Sequence, residues 1–151
     1  MANARIGSHP SWNGSSVYNL DADKQLSRGD SGKVFMIDQT TSFTANLPKL
    51  STEIAGWNCE FIIKTAAATI TYVMAYGVTS AGGTTGDAES VIFKQMGTSD
   101  DGIAAADSKD GVSFISGAVA SDSVNVFTDG TSWYVTSICE DNEHVVAIDA
   151  D

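Results

Sequence analysis

Proline, cysteine and histidine are each present only twice in these 151 residues. Basic residues are scarce as well: 8 Lys and Arg face 19 Asp and Glu, a net charge of −11. A chain so acidic repels phosphate backbones and anionic lipid, so nucleic acid and membrane surfaces are not expected partners. Long apolar runs are missing, which removes transmembrane helices, and the opening ANARIGSHPSWNGSS has neither the basic start nor the apolar centre of a signal peptide. The chain therefore reads as made in a cytosol, with Cys59 and Cys139 reduced small core residues rather than a disulfide. With two His and two Cys, a four-ligand zinc site is arithmetically possible. The spacing speaks against it, because no pair of ligands lies a turn apart and no Cys-x-x-Cys occurs.

Strong helix formers are few, whereas β-branched residues are common, and three Trp, four Tyr and six Phe supply core volume. A chain of this length forms one domain that buries roughly 70% of its unfolded surface. Short strands separated by turns predict an all-β fold, a single antiparallel β-sandwich or flattened barrel over 31–151 behind an extended N-terminal arm, 1–30. Within the arm one short strand is expected around Val17–Leu20. GKVFMIDQ and TSFTANLP read as strands about a turn at Asp38–Thr41, and Pro48 stops the second. KLSTEIA, 49–55, is a loop or helical turn closed by Gly56. WNCEFIIKT, 57–65, is the most buried strand, and ATITYVMAY, 68–76, could pair with it across Ala66–Ala67. Residues 77–90 and 98–111 read as long polar loops around the strand SVIFKQMG.

The most legible segment is VNVFTDGTSWYV, 124–135. A type I′ turn at Asp129-Gly130 would set Val126 against Trp133 and Val124 against Val135, giving all four one core face. The hairpin is scaffold.

Catalytic signatures are not found. No nucleophile sits in Gly-x-Ser-x-Gly, GGTTG at 82–86 has no phosphate-binding lysine, and no cofactor is implied. DSKDG, 107–111, departs from an EF-hand at Lys109, so Asp100, Asp101, Asp107 and Asp110 read as a solvated acidic loop and no metal site is assigned. Trp12, Trp57 and Trp133 raise carbohydrate stacking, but the last two are assigned to the core. The chain is read as a non-enzyme.

The order SGKVFMID, TSFTANLP, GWNCEFIIK, a FISG strand and the motif D-S-V-x-V-x-x-D-G-T-x-W-Y-V (122–135) resembles a small β-domain of tailed-bacteriophage virions. That domain recurs in capsid decoration (cement) proteins and in tail-fibre modules. The resemblance covers about two-thirds of the chain and is most specific in the last motif. It implies a structural protein, commonly a homotrimer, on the exterior of the virion. There it would bind the major capsid protein and stabilise the expanded shell by bridging its subunits. The arm around Ile6, His9, Pro10, Trp12 and Tyr18 is the expected capsid contact. The apolar end HVVAID, with Val145, Val146 and Ile148, is a potential edge strand and the expected oligomer interface. A tail or fibre component, or a module binding host-surface glycan, is the alternative.

Overall fold

A computed structural model describes residues 16–38, 42–65, 70–76, 78–79, 83–84, 91–97 and 105–148, and among these described residues there are fourteen strands. They are β1 Val17–Leu20, β2 Lys24–Gln25, β3 Lys33–Ile37, β4 Phe43–Asn46, β5 Asn58–Ile63, β6 Thr71–Met74, β7 Val78–Thr79, β8 Gly83–Thr84, β9 Val91–Gly97, β10 Ala105–Lys109, β11 Gly111–Phe114, β12 Ser123–Thr128, β13 Trp133–Cys139 and β14 Val145–Ile148. Among the described residues a seven-stranded sheet runs β1-β3-β5-β12-β13-β9-β10, a five-stranded sheet runs β14-β11-β6-β4-β2, and β7 pairs with β8. The two larger sheets share one core, so the all-β sandwich expected from the sequence is found and the flattened-barrel alternative is not.

The sheets are mixed rather than antiparallel. From β1 to β6 the chain alternates between them: β1, β3 and β5 pair in parallel in the larger sheet, and β2, β4 and β6 in parallel in the smaller. Neighbours in sequence therefore face each other across the core instead of sharing hydrogen bonds. This corrects the expected pairing of 57–65 with 68–76, because β5 and β6 lie in opposite sheets. Parallel partners need a long crossover, and here an intervening strand of the opposite sheet supplies it.

The winding also takes up the second half of the 1–30 segment. Leu20 and Leu26 are buried, so residues 17–30 of that segment pack into the sandwich, while its residues 1–15 lie outside the described residues. Two 3-10 turns, Arg28–Asp30 and Thr52–Ile54, carry the chain between sheets, the second ending at Gly56 with φ +86° as expected of the 49–56 segment. The first is held by Asp30, whose carboxylate accepts from the Ser27 amide and hydroxyl and from Lys33 Nζ at 2.7–2.9 Å.

The closing half is mostly antiparallel. The expected polar stretch 98–111 contains a strand, β10, which reaches Lys109 in the larger sheet before the chain switches at Asp110 to β11 in the smaller. The corner is pinned by the Asp110 amide on Ile148 O and by its carbonyl accepting from Ala75. Gly111 makes it possible, since a Cβ there would strike the Val73 carbonyl and lie 2.9 Å from Met74 Cα.

Hairpin β12–β13 keeps the expected faces but not the expected register. Val126 lies opposite Val135 and Thr128 opposite Trp133, a shift of two residues that lengthens the loop to 129–132. A shift of two preserves the side-chain alternation, so Val124, Val126, Trp133 and Val135 are all buried together. Gly130 alone in this loop has positive φ, which excludes type I′. Asp129 organises the turn instead, accepting from the Thr131 and Ser132 amides and from the Tyr134 hydroxyl. Those donors hold its carboxyl well below the usual carboxylate range. Inside, Trp57 meets Trp133 edge-on at 5.3 Å and Phe35 stacks on Phe61 at 5.3 Å.

Candidate functional site

The edges and outer faces of the sheets are where this sandwich can meet a partner. Strand β14 ends the five-stranded sheet, in the edge position expected for 144–149. Its side chains divide: Val145 is buried in the core, Val146 is 36% exposed and Ile148 is half-buried against the core. Of the expected oligomer interface, Val146 and Ile148 thus reach the surface and Val145 does not. An edge strand also carries backbone donors and acceptors that an added strand can complete.

The expected capsid-contact residues separate as well. Ile6, His9, Pro10 and Trp12 lie outside the described residues. Tyr18 is in β1 at the other sheet's edge, 37% exposed, its ring 6.1 Å from Phe35 and 4.5 Å from the Lys33 ammonium. That cation–π contact holds an aromatic ring at the mouth of the sandwich.

On β1, β3, β5, β12 and β13 the outer face of the seven-stranded sheet mixes polar side chains (Asn19, Asn58, Glu60, Ser123, Asn125, Thr136) with apolar ones. Alternation turns Val17 on β1, Val34 and Met36 on β3, Ile62 on β5, Phe127 on β12 and Ile138 on β13 away from the core. Ladder register places Met36, Ile62, Ser123 and Ile138 in one row across the sheet. Ile138 is 65% exposed and Phe127 46%. Phe127 stacks on Tyr134 at 5.0 Å and 14°, and Tyr134 donates to Asp129 at 3.0 Å. Sequence reading missed this pair because it followed tryptophans; the signal was the Phe-x₆-Tyr spacing across an Asp-Gly turn.

A second missed feature is a side-chain staple. Asp122, buried, accepts from the Val119 amide at 2.9 Å and the Glu140 amide at 2.8 Å, and its Oδ2 lies 2.8 Å from His144 Nδ1. One carboxylate thus joins the entry to β12, the exit of β13 and the entry to β14. His144 is thereby tied into the body of the fold. Asp122, Asp129, Trp133 and Tyr134 are all members of the 122–135 motif, and each of them has a structural task.

Nucleophilic and ligand-binding candidates are weak. Cys59 and Cys139 are both buried and unbridged, and burial pushes the Cys59 thiol well up, with Asp30 and Glu60 adding to the effect. A thiol held protonated is a poor nucleophile. Among the described residues no group of three or more His, Cys, Asp or Glu side chains is placed to hold a metal ion. Of the acidic loop, Asp110 is buried at the sheet corner, and Asp100 and Asp101 lie outside the described residues. A cleft of about 220 Å³ is lined by Arg28, Ser31, Glu53, Ile54 and Trp57. Its Trp57 is spoken for: the ring is buried and Nε1 donates to Ser27 O at 3.0 Å. The Arg28–Glu53 pair above it, 3.7 Å apart and largely exposed, contributes little. Arg28-Gly29-Asp30 is likewise a turn, with the Asp30 carboxylate directed inward to Lys33.

No helix of the described residues is long and apolar enough to cross a membrane. No protein-family model matches the chain, and no curated protein matches it significantly in sequence.

Proposed function

We propose that this chain is a structural protein of a tailed-phage virion that decorates the capsid exterior and stabilises the expanded shell. It does so as a homo-oligomer, a trimer by the resemblance of its motifs, bridging neighbouring major capsid subunits. The observation that carries the reading is the surface of β14: an edge strand that presents Val146 and Ile148 on a sandwich whose recognisable motif is devoted to structure. Association through that edge would place several copies around one symmetry axis. Multivalent attachment to the expanded shell then shifts the shell toward that state, because ligands stabilise whichever state they bind better. The N-terminal residues Ile6, His9, Pro10 and Trp12 are the proposed shell contacts, together with Tyr18 on the edge strand β1.

Incubating purified protein with expanded, undecorated shells tests this. Saturation at a fixed copy number per shell is expected, as is loss of binding when residues 1–15 are removed from a protein that still folds. Protein that ignores shells but joins purified tails would transfer the proposal to a tail component.

A second reading, binding of host-surface glycan, is favoured by the exposed Phe127–Tyr134 pair with Asn58 and Asn125 beside it on the same face. It predicts saturable affinity for host polysaccharide that Phe127→Ala abolishes. Shell binding would be untouched by that change.

A further inference from the structure

Asp-Gly is among the sequences at which a polypeptide most readily modifies itself. The glycine amide nitrogen attacks the preceding carboxyl carbon, an N–Cγ bond forms and one water leaves, giving a succinimide. Water then reopens the ring at either carbonyl. Opening at the backbone carbonyl leaves isoaspartate, with the chain rerouted through the side chain. Glycine favours closure because it carries no side chain to hinder its nitrogen and its backbone turns freely. Asp129-Gly130 has this sequence, and Asp129 is exposed on the loop between β12 and β13.

We infer that the Thr128 hydroxyl and the donors around Asp129 protect Asp129-Gly130 from this ring closure, so that the exposed loop keeps its ordinary backbone. The nucleophile is held first. The Gly130 amide donates to Thr128 Oγ1 at 2.9 Å, and the Thr128 hydroxyl donates in turn to Ser132 O at 2.6 Å. Thr128 and Gly130 are both buried, which keeps solvent base from the amide proton. The electrophile is turned away. Asp129 Oδ1 accepts from the Thr131 and Ser132 amides and the Thr131 hydroxyl at 2.8–2.9 Å, and Oδ2 accepts from the Tyr134 hydroxyl at 3.0 Å. This aims the carboxylate at the residues after Gly130 rather than at its nitrogen. The same donors keep it ionised, and a carboxylate accepts a nucleophile far less readily than the neutral acid does. The peptide between the two groups is boxed as well. A Cβ on Gly130 would lie 2.9 Å from Ser51 O and 3.1 Å from Thr52 Cα, so a rotating peptide meets the backbone of the neighbouring 3-10 turn. Closure therefore needs the loop to open, and its rate follows the population of that open form. The inference concerns the chemistry of the chain and stands whether or not the virion reading does.

Ageing the full-length protein beside a peptide of residues 124–135, warm and at neutral pH, tests this. Methyl transfer by an isoaspartyl methyltransferase reads the product. Fragmentation of the proteolytic peptides localises it, because Asp-Gly recurs at 101–102 and 110–111. Isoaspartate at 129 should accumulate about tenfold or more slowly in the protein than in the peptide. Thr128→Val, which keeps the side-chain shape and removes the hydroxyl, should speed it several-fold in the folded protein. Thr131→Ala, at an exposed position, removes one donor to the carboxylate and should speed it less, and it carries the test if Thr128→Val does not fold. Asp122→Asn weakens the fold from the far end of β12 and should leave the rate at 129 unchanged. The inference fails if Asp129 ages in the wild type as fast as in the peptide, or if neither threonine variant speeds it. It fails equally if Asp122→Asn speeds it as much as they do, since global unfolding would then set the rate.

Discussion

The carboxylate of Asp122 and the imidazole of His144 meet at 2.8 Å, joining residues 22 apart in sequence at the start of β12 and the start of β14. With the amides of Val119 and Glu140 on the same carboxylate, this is the polar contact that closes the C-terminal half. Asp122→Ala leaves those buried donors without an acceptor and should cost about 2–4 kcal/mol. Asp122→Asn, which keeps one acceptor oxygen, should cost less. Urea denaturation of both variants checks the order.

Asp30 gives the fold an acid-sensitive contact. Burial opposes its ionisation, but hydrogen bonds from Lys33 and Ser27 together with the Lys33 charge outweigh that and hold its pKa below the ordinary 3.8. A depressed folded-state pKa contributes stability that is complete above the unfolded value and lost as pH falls through the folded one. The stability gap between wild type and Asp30→Asn should therefore be constant near neutrality and shrink as pH drops below about 4. Denaturant titrations at pH 7, 5 and 3 would show it; a gap independent of pH would refute it.

At Gly111 the chain crosses from one sheet to the other against the backbone of Val73 and Met74. Gly111→Ala should cost about 3 kcal/mol or more, since backbone rather than a mobile side chain must yield. Thermal unfolding by circular dichroism is the readout, and a near-neutral result would mean that the corner is looser than this geometry.

Ser137 is fully buried opposite Val124, and its hydroxyl meets no hydrogen-bond partner among the described residues. Ser137→Ala removes an unsatisfied group with little change of volume. It should stabilise the protein by about 1 kcal/mol, measurable as a raised urea midpoint at constant m-value.

Val146→Asp tests the β14 edge. The side chain is already partly exposed, so the fold should persist while self-association weakens at least tenfold. Light scattering across a dilution series reads both. Unchanged association would move the interface elsewhere.

The sequence by itself determined which side chains face inward. Phe43, Ala45, Val124, Val126, Trp133 and Val135 are buried as their alternation demands, because a period of two is a property of the strand alone. It also determined the turn before Gly56 and the presence of the terminal strand, which depend on local conformation. What only the tertiary structure decided is partnership. Alternation is unchanged when a strand pairs in parallel or antiparallel, with a neighbour in sequence or across a crossover, so nothing in 38–42 or 66–69 distinguishes a hairpin from a passage to the opposite sheet. The same degeneracy hid the two-residue register shift at Asp129, which alters the turn and leaves every face intact. Those choices were made by the shared core, where parallel winding lets Phe35 stack on Phe61 and brings Trp57 against Trp133, contacts between residues far apart in the chain.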